Sequence, residues 1–163
     1  SWVGSNTFVD LELTNERLIS WATWKYDAVT WCSWGIGSQW KAAWFSPATW
    51  RHSTRKEDED LLVKTSNLNA LAVYPPGIIR NVDVACPTVR LKNMRDGVEE
   101  YEYMRLLSKL DGNRERTEEI VNKVVYKPFG KQSVGRLDVW NHNASEWDKA
   151  RIEMGELIEK ASK

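Results

Sequence analysis

The stretch VRLKNMRDGVEEYEYMRLL, residues 89–107, limits the possible folds more than any other part of the chain. It reads as an amphipathic helix, dense in arginine and acids, with aromatic and thioether side chains along its apolar side. Just upstream, LNALAVYPPG at 68–77 is a short apolar run halted at Tyr-Pro-Pro. A buried strand, a loop and then a charged-faced helix is the repeating unit of an α/β barrel. Such a barrel carries its chemistry at the carboxyl ends of its strands, and Tyr74 stands at one such end.

The remaining pattern extends this reading. Residues 1–12 read as extended, ending in Phe8-Val9-Asp10. Thr14 is placed to cap a helix over Asn15–Tyr26, with Leu18, Trp21, Ala22 and Trp24 facing inward. Val29, Thr30 and Trp31 give Ala28–Trp34 the content of a short strand, broken by Gly35 and Gly37. Residues 35–67 show little regularity, and a loop of that length is usually functional or poorly ordered. Leu68–Tyr74 is the second strand, and 78–87 is a loop. Thr88 caps the long helix, which runs to about Leu110 on Leu91, Met94, Val98, Tyr101, Met104 or Leu107, and Leu110. Asp111-Gly112 ends it. A shorter helix over Thr117–Val125 and a final amphipathic helix over Ser145–Ala161 follow. In the latter Trp147, Ala150, Met154, Leu157 and Ile158 point inward.

Each strand is followed by a connection rather than a hairpin, which predicts parallel pairing with both faces covered. Two strands do not close a sheet, and an eight-fold barrel takes about 250 residues, against 163 here. The expected fold is α/β, the carboxyl-terminal part of a (β/α)8 TIM-type barrel with about its last two strands. Residues 1–112 form the barrel portion and 113–163 a helical extension packed on it. The rest of the barrel is then a partner, as an amino-terminal portion or a companion chain.

Charge is balanced, 23 basic against 23 acidic residues, which argues against a nucleic-acid or polybasic membrane surface. No apolar run approaches the roughly 20 residues of a membrane span. Ser1-Trp2-Val3-Gly4 does not read as a signal peptide. Cys32 and Cys86 cannot make a disulfide scaffold and read as buried thiols, with one bridge open as an alternative. Asn143-Ala144-Ser145 is a glycosylation sequon.

Tryptophan is the compositional anomaly: there are 10, and 8 of them fall within residues 1–50. A core rarely accommodates so many large rings with a polar N–H to satisfy, whereas the apolar face of a pyranose stacks well on an indole. Trp21 and Trp24, three apart on a helix, read as core. Trp34, Trp40 and Trp44 lie in or near a loop, where packing is the weaker explanation.

The stretches NTFVD (6–10), RLISWATWKYDAVTWCSWG (17–35), ALAVYPPG (70–77) and PTVRLKNMRDGVEEYEYMRLL (87–107), with Trp40, carry a family resemblance. They resemble the carboxyl-terminal half of the glycoside-hydrolase-like domain of unknown function 4091. That domain also ends the β-N-acetylgalactosaminidases of glycoside hydrolase family 123. The matching phrases are an Arg-x-x-x-Trp-x-x-Trp-Lys-Tyr helix, a strand ending in Trp, a Leu-x-Tyr-Pro-Gly strand and an Arg-Asp-Gly-x-x-Asp-Tyr-Glu-Tyr helix. The resemblance implies that Ala28–Trp34 and Leu68–Tyr74 are the seventh and eighth barrel strands. Trp34 and Tyr74 would line a sugar pocket, Trp40 would stand at its rim, and Asp10 would lie near the same face. Ser33, Pro76 and Glu100 depart from the family pattern: Ser33 bears on substrate preference, the other two on local geometry.

The same resemblance implies a substrate-assisted mechanism, in which the substrate's acetamide attacks the anomeric carbon. An adjacent Asp-Glu pair serves it, and that pair would precede residue 1. Asp58-Glu59 matches the pair only in letters and reads as part of a solvated run, Glu57–Asp60. No catalytic residue is therefore assigned within this chain, which alone would be inert. His52 and His142 are too few and too far apart for a metal site, and no cofactor is expected. Arg90, Arg95, Asp96 and Glu102 read as an ion network locking the long helix to the barrel rather than as catalysts.

The leading expectation is thus a part of a glycoside-hydrolase-like barrel that supplies aromatic walls of a hexosamine-type glycan pocket. The whole protein would hydrolyse glycosidic bonds with retention, and secretion follows from that role. One alternative is a non-catalytic glycan-binding or structural module that has lost its acid. Another is a self-contained helical interaction domain with two incidental strands.

Overall fold

The structure, a computed structural model, describes residues 12–31, 72–74, 76–77, 81–128 and 139–163. Four helices are present among them: α1 (Thr14–Lys25), α2 (Val89–Asp111), α3 (Glu115–Asn122) and α4 (Ala144–Ala161). Two short strands, β1 (Val73–Tyr74) and β2 (Cys86–Pro87), form a two-stranded sheet. Among the described residues, then, the chain is mostly helical with a small sheet.

Helix α1 starts without the side-chain cap expected of Thr14. Leu13 is the N-cap residue and already has helical dihedrals. Asn15 and Glu16 donate their backbone N–H groups to the carbonyls of Glu12 (3.0 Å) and Leu13 (3.1 Å). A tight turn thus satisfies donors that a threonine hydroxyl would otherwise serve. Thr14 itself is buried in the first turn.

The helix stops at Asp27, which adopts a left-handed φ of 50°. The Ala28 N–H bonds the Thr23 carbonyl (3.0 Å) and the Asp27 N–H bonds that of Trp24 (3.4 Å). This is the pairing of a Schellman motif, with aspartate taking the place usually held by glycine. Beyond it, residues 28–31 form no strand: Val29 is fully exposed and Trp31 half-exposed. The strand expected over Ala28–Trp34 is therefore absent from its described part. Strand propensity needs a partner and a face to pack on, and Val29-Thr30 is exposed with no strand partner among the described residues. Cys32–Trp34 lie outside the described residues.

The strand expected over Leu68–Tyr74 is seen in its last two residues. Its pairing is antiparallel rather than parallel, with Val73 opposite Pro87 and Tyr74 opposite Cys86. Gly77 (φ 76°) and Asn81 (φ 63°) turn the chain back, and the Gly77 N–H closes on the Val82 carbonyl at 2.8 Å. Thr88 joins sheet to helix. Its N–H and hydroxyl both donate to the Ala72 carbonyl (3.0 and 2.8 Å), and its hydroxyl oxygen accepts the Leu91 N–H (3.3 Å). It is the cap expected of it. At the other end, Gly112 terminates α2 in the left-handed conformation (φ 69°).

Helices α1, α2 and α4 run in the same sense. Arg17 meets Glu100, and further along α1 Trp24 lies beside the carboxyl end of α2. Arg151 of α4 meets Glu99, and Gly155 meets Tyr103. Residues ahead of α4 and α1 also touch, through His142 and Glu12. Helix α3 and an antiparallel bridge between Val125 and Trp140 carry the chain back to start α4. Asn143 caps α4 by accepting the Ser145 N–H at 3.1 Å, so the sequon asparagine serves as a helix cap.

One buried cluster runs through all four helices, from Leu18, Trp21 and Trp24 through Met104 and Leu107 to Ile120, Trp147 and Met154. The inward face of α2 keeps Met104 and Leu107 of the expected apolar series and departs from it elsewhere. Arg90, Gly97, Glu100, Met104 and Leu107 are buried, while Val98 and Leu110 are exposed. Gly97 explains the difference: a Cβ there would lie 3.0 Å from the Arg17 Cα and 3.1 Å from its carbonyl oxygen. The two helix backbones touch at this point, and a second helix cannot fit between them.

Gly97→Ala gains helix propensity of up to about 1 kcal/mol but must force that contact apart, at about 1–3 kcal/mol. A net loss of stability in chemical denaturation is expected. Gly155→Ala is the control: its Cβ would meet Tyr103 at an ordinary 3.8 Å. It is expected to stabilise by about 0.5–1 kcal/mol.

Candidate functional site at the amino ends of the helices

Charge is buried at two levels of the helix layer. The deeper level is a node around Arg17. Its Nε and Nη2 donate to Glu100 Oε2 (3.1 Å) and Oε1 (2.5 Å), a bidentate pair in which the carboxylate is fully buried. The indole N–H of Trp21 donates to the same Oε2 at 2.7 Å. Arg17 Nη1 reaches Asp148 on α4 at 2.8 Å, and the guanidinium lies 5.7 Å from the Trp147 ring centroid. Trp147 in turn meets Trp21 edge-on at 5.2 Å. Burial alone would lower the Arg17 pKa, but its bonds to Glu100 and Asp148 outweigh that and hold it above its ordinary value.

The ion lock expected on α2 therefore exists, but with other residues. Arg95 and Glu102 are exposed and pair on their own helix, Arg95 with Asp96 (2.8 Å) and Glu102 with Arg105 (3.1 Å). Of the four residues expected in the lock, only Arg90 is buried. Glu100 replaces the others. In the sequence it stands out only as a departure from the family pattern that bears on local geometry. The available signal was its place three residues after Gly97, on the contact face. Removing Glu100 leaves Arg17 buried beside half its partners, so Glu100→Ala is expected to cost about 3–5 kcal/mol in equilibrium unfolding.

The second level lies nearer the amino ends of α1 and α2, and it is the candidate site. Tyr74, at the end of β1, is half-buried. Arg90, in the first turn of α2, is buried and interacts electrostatically with both Tyr74 and Glu16. Burial lowers the Arg90 pKa, and those two groups offset part of that. Glu16, in the first turn of α1, is 2% exposed, and its Oε2 has no hydrogen-bond partner. Burial pushes its carboxyl up to about 7, against the opposing pull of Arg90. Nearby in sequence, Thr14 and Asn15 are also buried, and Glu12 Oε2 lies 3.1 Å from His142 Nδ1.

A carboxyl that changes charge near neutrality, beside a guanidinium and a phenol, can donate or accept a proton or hold an uncharged polar group. Of the four residues expected to bind substrate, Tyr74 falls in this cluster. Asp10, Trp34 and Trp40 lie outside the described residues. Glu16 was missed because a first-turn glutamate has an ordinary explanation, as a partner for the helix dipole. Arg90 was seen but read only as architecture.

At the opposite end an open groove of about 360 Å³ lies between α1 and α2, lined by Trp24, Asp27, Tyr101, Arg105 and Arg114. It is occupied by its own contacts. Arg114 stacks on Trp24 (4.2 Å), donates to the Trp24 carbonyl (2.8 Å) and pairs with Asp27. Among the described residues no three His, Cys, Asp or Glu side chains are grouped to hold a metal ion. No described helix is long and apolar enough to cross a membrane. No protein-family model matches the chain, and no curated protein matches it.

The raised Glu16 pKa has a direct thermodynamic consequence. The carboxyl keeps its proton in the folded state up to about 7, against 4.5 when unfolded. Its stabilising contribution is complete below 4.5 and is lost as pH rises to about 7. Stability measured against pH should therefore fall by up to about 3 kcal/mol more for the wild type than for Glu16→Gln. Parallel curves for the two proteins would contradict this.

Proposed function

We propose that this chain is the carboxyl-terminal part of a glycosidase-like (β/α)8 barrel and supplies walls of a hexosamine-type glycan pocket. The whole protein then hydrolyses glycosidic bonds by substrate-assisted retention, with its Asp-Glu pair on strands outside this chain. Tyr74, Trp34, Trp40 and Asp10 are the proposed sugar-contacting residues, and the protein acts outside the cell.

One observation carries the reading. Three helices of the same sense bring their amino ends to one side of the molecule, and the end of β1 with Tyr74 lies with them. Helices that follow parallel strands share a direction, and in such folds ligands bind beyond the strand carboxyl ends. An up-and-down bundle would instead alternate its helices. The antiparallel partner of β1 fits as a local feature of the loop leading into α2. The resemblance adds weight because its two longest phrases meet in space, at Arg17, Trp21, Gly97 and Glu100.

A second reading, the self-contained helical domain, draws on the single core shared by all four helices. Calorimetric binding of N-acetylhexosamine separates the two. The proposal expects uptake that Tyr74→Ala weakens about tenfold or more while the circular-dichroism spectrum stays unchanged, through loss of ring stacking and its hydroxyl. No uptake by a folded, monomeric chain favours the helical domain. Uptake by the whole protein without hydrolysis would identify a non-catalytic glycan-binding module.

A further inference from the structure

We propose that Glu16 is a ligand-contacting residue of the Tyr74 site, its carboxyl exchanging hydrogen bonds with a hydroxyl or amide of an uncharged, polyhydroxylated ligand. The inference rests on the glycan reading above and names a residue that neither the sequence patterns nor the resemblance assigns.

The geometry comes first. Glu16 is almost wholly buried, yet its Oε2 has no hydrogen-bond partner. Buried polar atoms are nearly always satisfied, because leaving one bare costs the desolvation of that group. A first-turn acid serving only the helix dipole would lie at the surface and stay ionised. Glu16 instead lies inside, where Arg90 on α2 acts electrostatically on it and on Tyr74 of β1. The pair formed by Glu12 and His142 stands at the same end of the helix layer.

The chemistry selects the ligand. A protonated carboxyl offers one donor and retains acceptor capacity, which suits a sugar hydroxyl or an acetamide N–H. An anionic ligand would meet the carboxyl once it ionises, and a cationic one would meet Arg90. Burial holds the proton on Glu16 up to about 7, so the site takes an uncharged partner without burying an extra charge.

The test is calorimetric titration with N-acetylgalactosamine, at about pH 6 and about pH 8, on either side of the Glu16 transition. Wild type, Glu16→Gln, Glu16→Ala and Tyr74→Ala are compared, with circular dichroism as the fold control. Glutamine keeps a donor and an acceptor. It should bind within about threefold of wild type at the lower pH and equally at both, whereas wild type weakens at the higher pH. Alanine should lose about tenfold. If Tyr74→Ala weakens binding and Glu16→Ala does not, the Glu16 assignment is overturned while the glycan reading stands. If wild type takes up no sugar, the glycan reading fails and the assignment with it. Should Glu16→Ala not fold, equal wild-type affinity at both pH values overturns the assignment.

Discussion

The bidentate bond between Arg17 and Glu100 is the constraint on which the other helices depend. It joins α1 to α2 in the core, and Arg17 extends it to α4 through Asp148. A buried ion pair alone is weak evidence of stability, because desolvation cancels much of its attraction. Here the remaining bonding capacity is also used, by the Trp21 indole on one side and Asp148 on the other. Gly97 makes the arrangement possible by letting the two backbones touch one turn before Glu100. Large rings, Trp21 and Trp147, then close over the charges. The node thus sets the direction and rotation of three helices together.

That rotation explains what sequence reasoning could and could not reach. The helices themselves were legible from their periodic apolar residues, and α2 also from its ends at Thr88 and Gly112. The face that α2 buries was legible only at Met104 and Leu107. Its most apolar series, with Val98 and Leu110, lies partly exposed, and its contact face carries Arg90, Gly97 and Glu100. A rule that sends apolar residues inward fails where an ion pair and a glycine define the contact. The described part of the strand expected over Ala28–Trp34, residues 28–31, is absent for a different reason. Its residues favour a strand, but the left-handed turn at Asp27 leads residues 28–31 away from any described partner. Among the described residues Tyr74 pairs antiparallel because left-handed residues at Gly77 and Asn81 bring Cys86 back beside it.

The candidate site was legible through one residue, Tyr74, whose place before Pro75-Pro76 marked a strand end. Its neighbours Arg90 and Glu16 became visible only when α1 and α2 were brought side by side, 74 residues apart in sequence between those two positions. The two ends of the helix layer differ in kind. At the carboxyl ends Arg114 donates to the Trp24 carbonyl and to Asp27, while its Nε has no hydrogen-bond partner. At the amino ends Glu16 keeps an unused oxygen and a proton that it yields near neutrality.

Hydrogen–deuterium exchange, with and without saturating N-acetylhexosamine, tests most directly whether that end is the ligand face. The account predicts slowed exchange in the first turns of α1 and α2 and around Tyr74, with little change at residues 101–114. Protection confined to the carboxyl ends around Trp24 and Arg114, or no change anywhere in the chain, would contradict it.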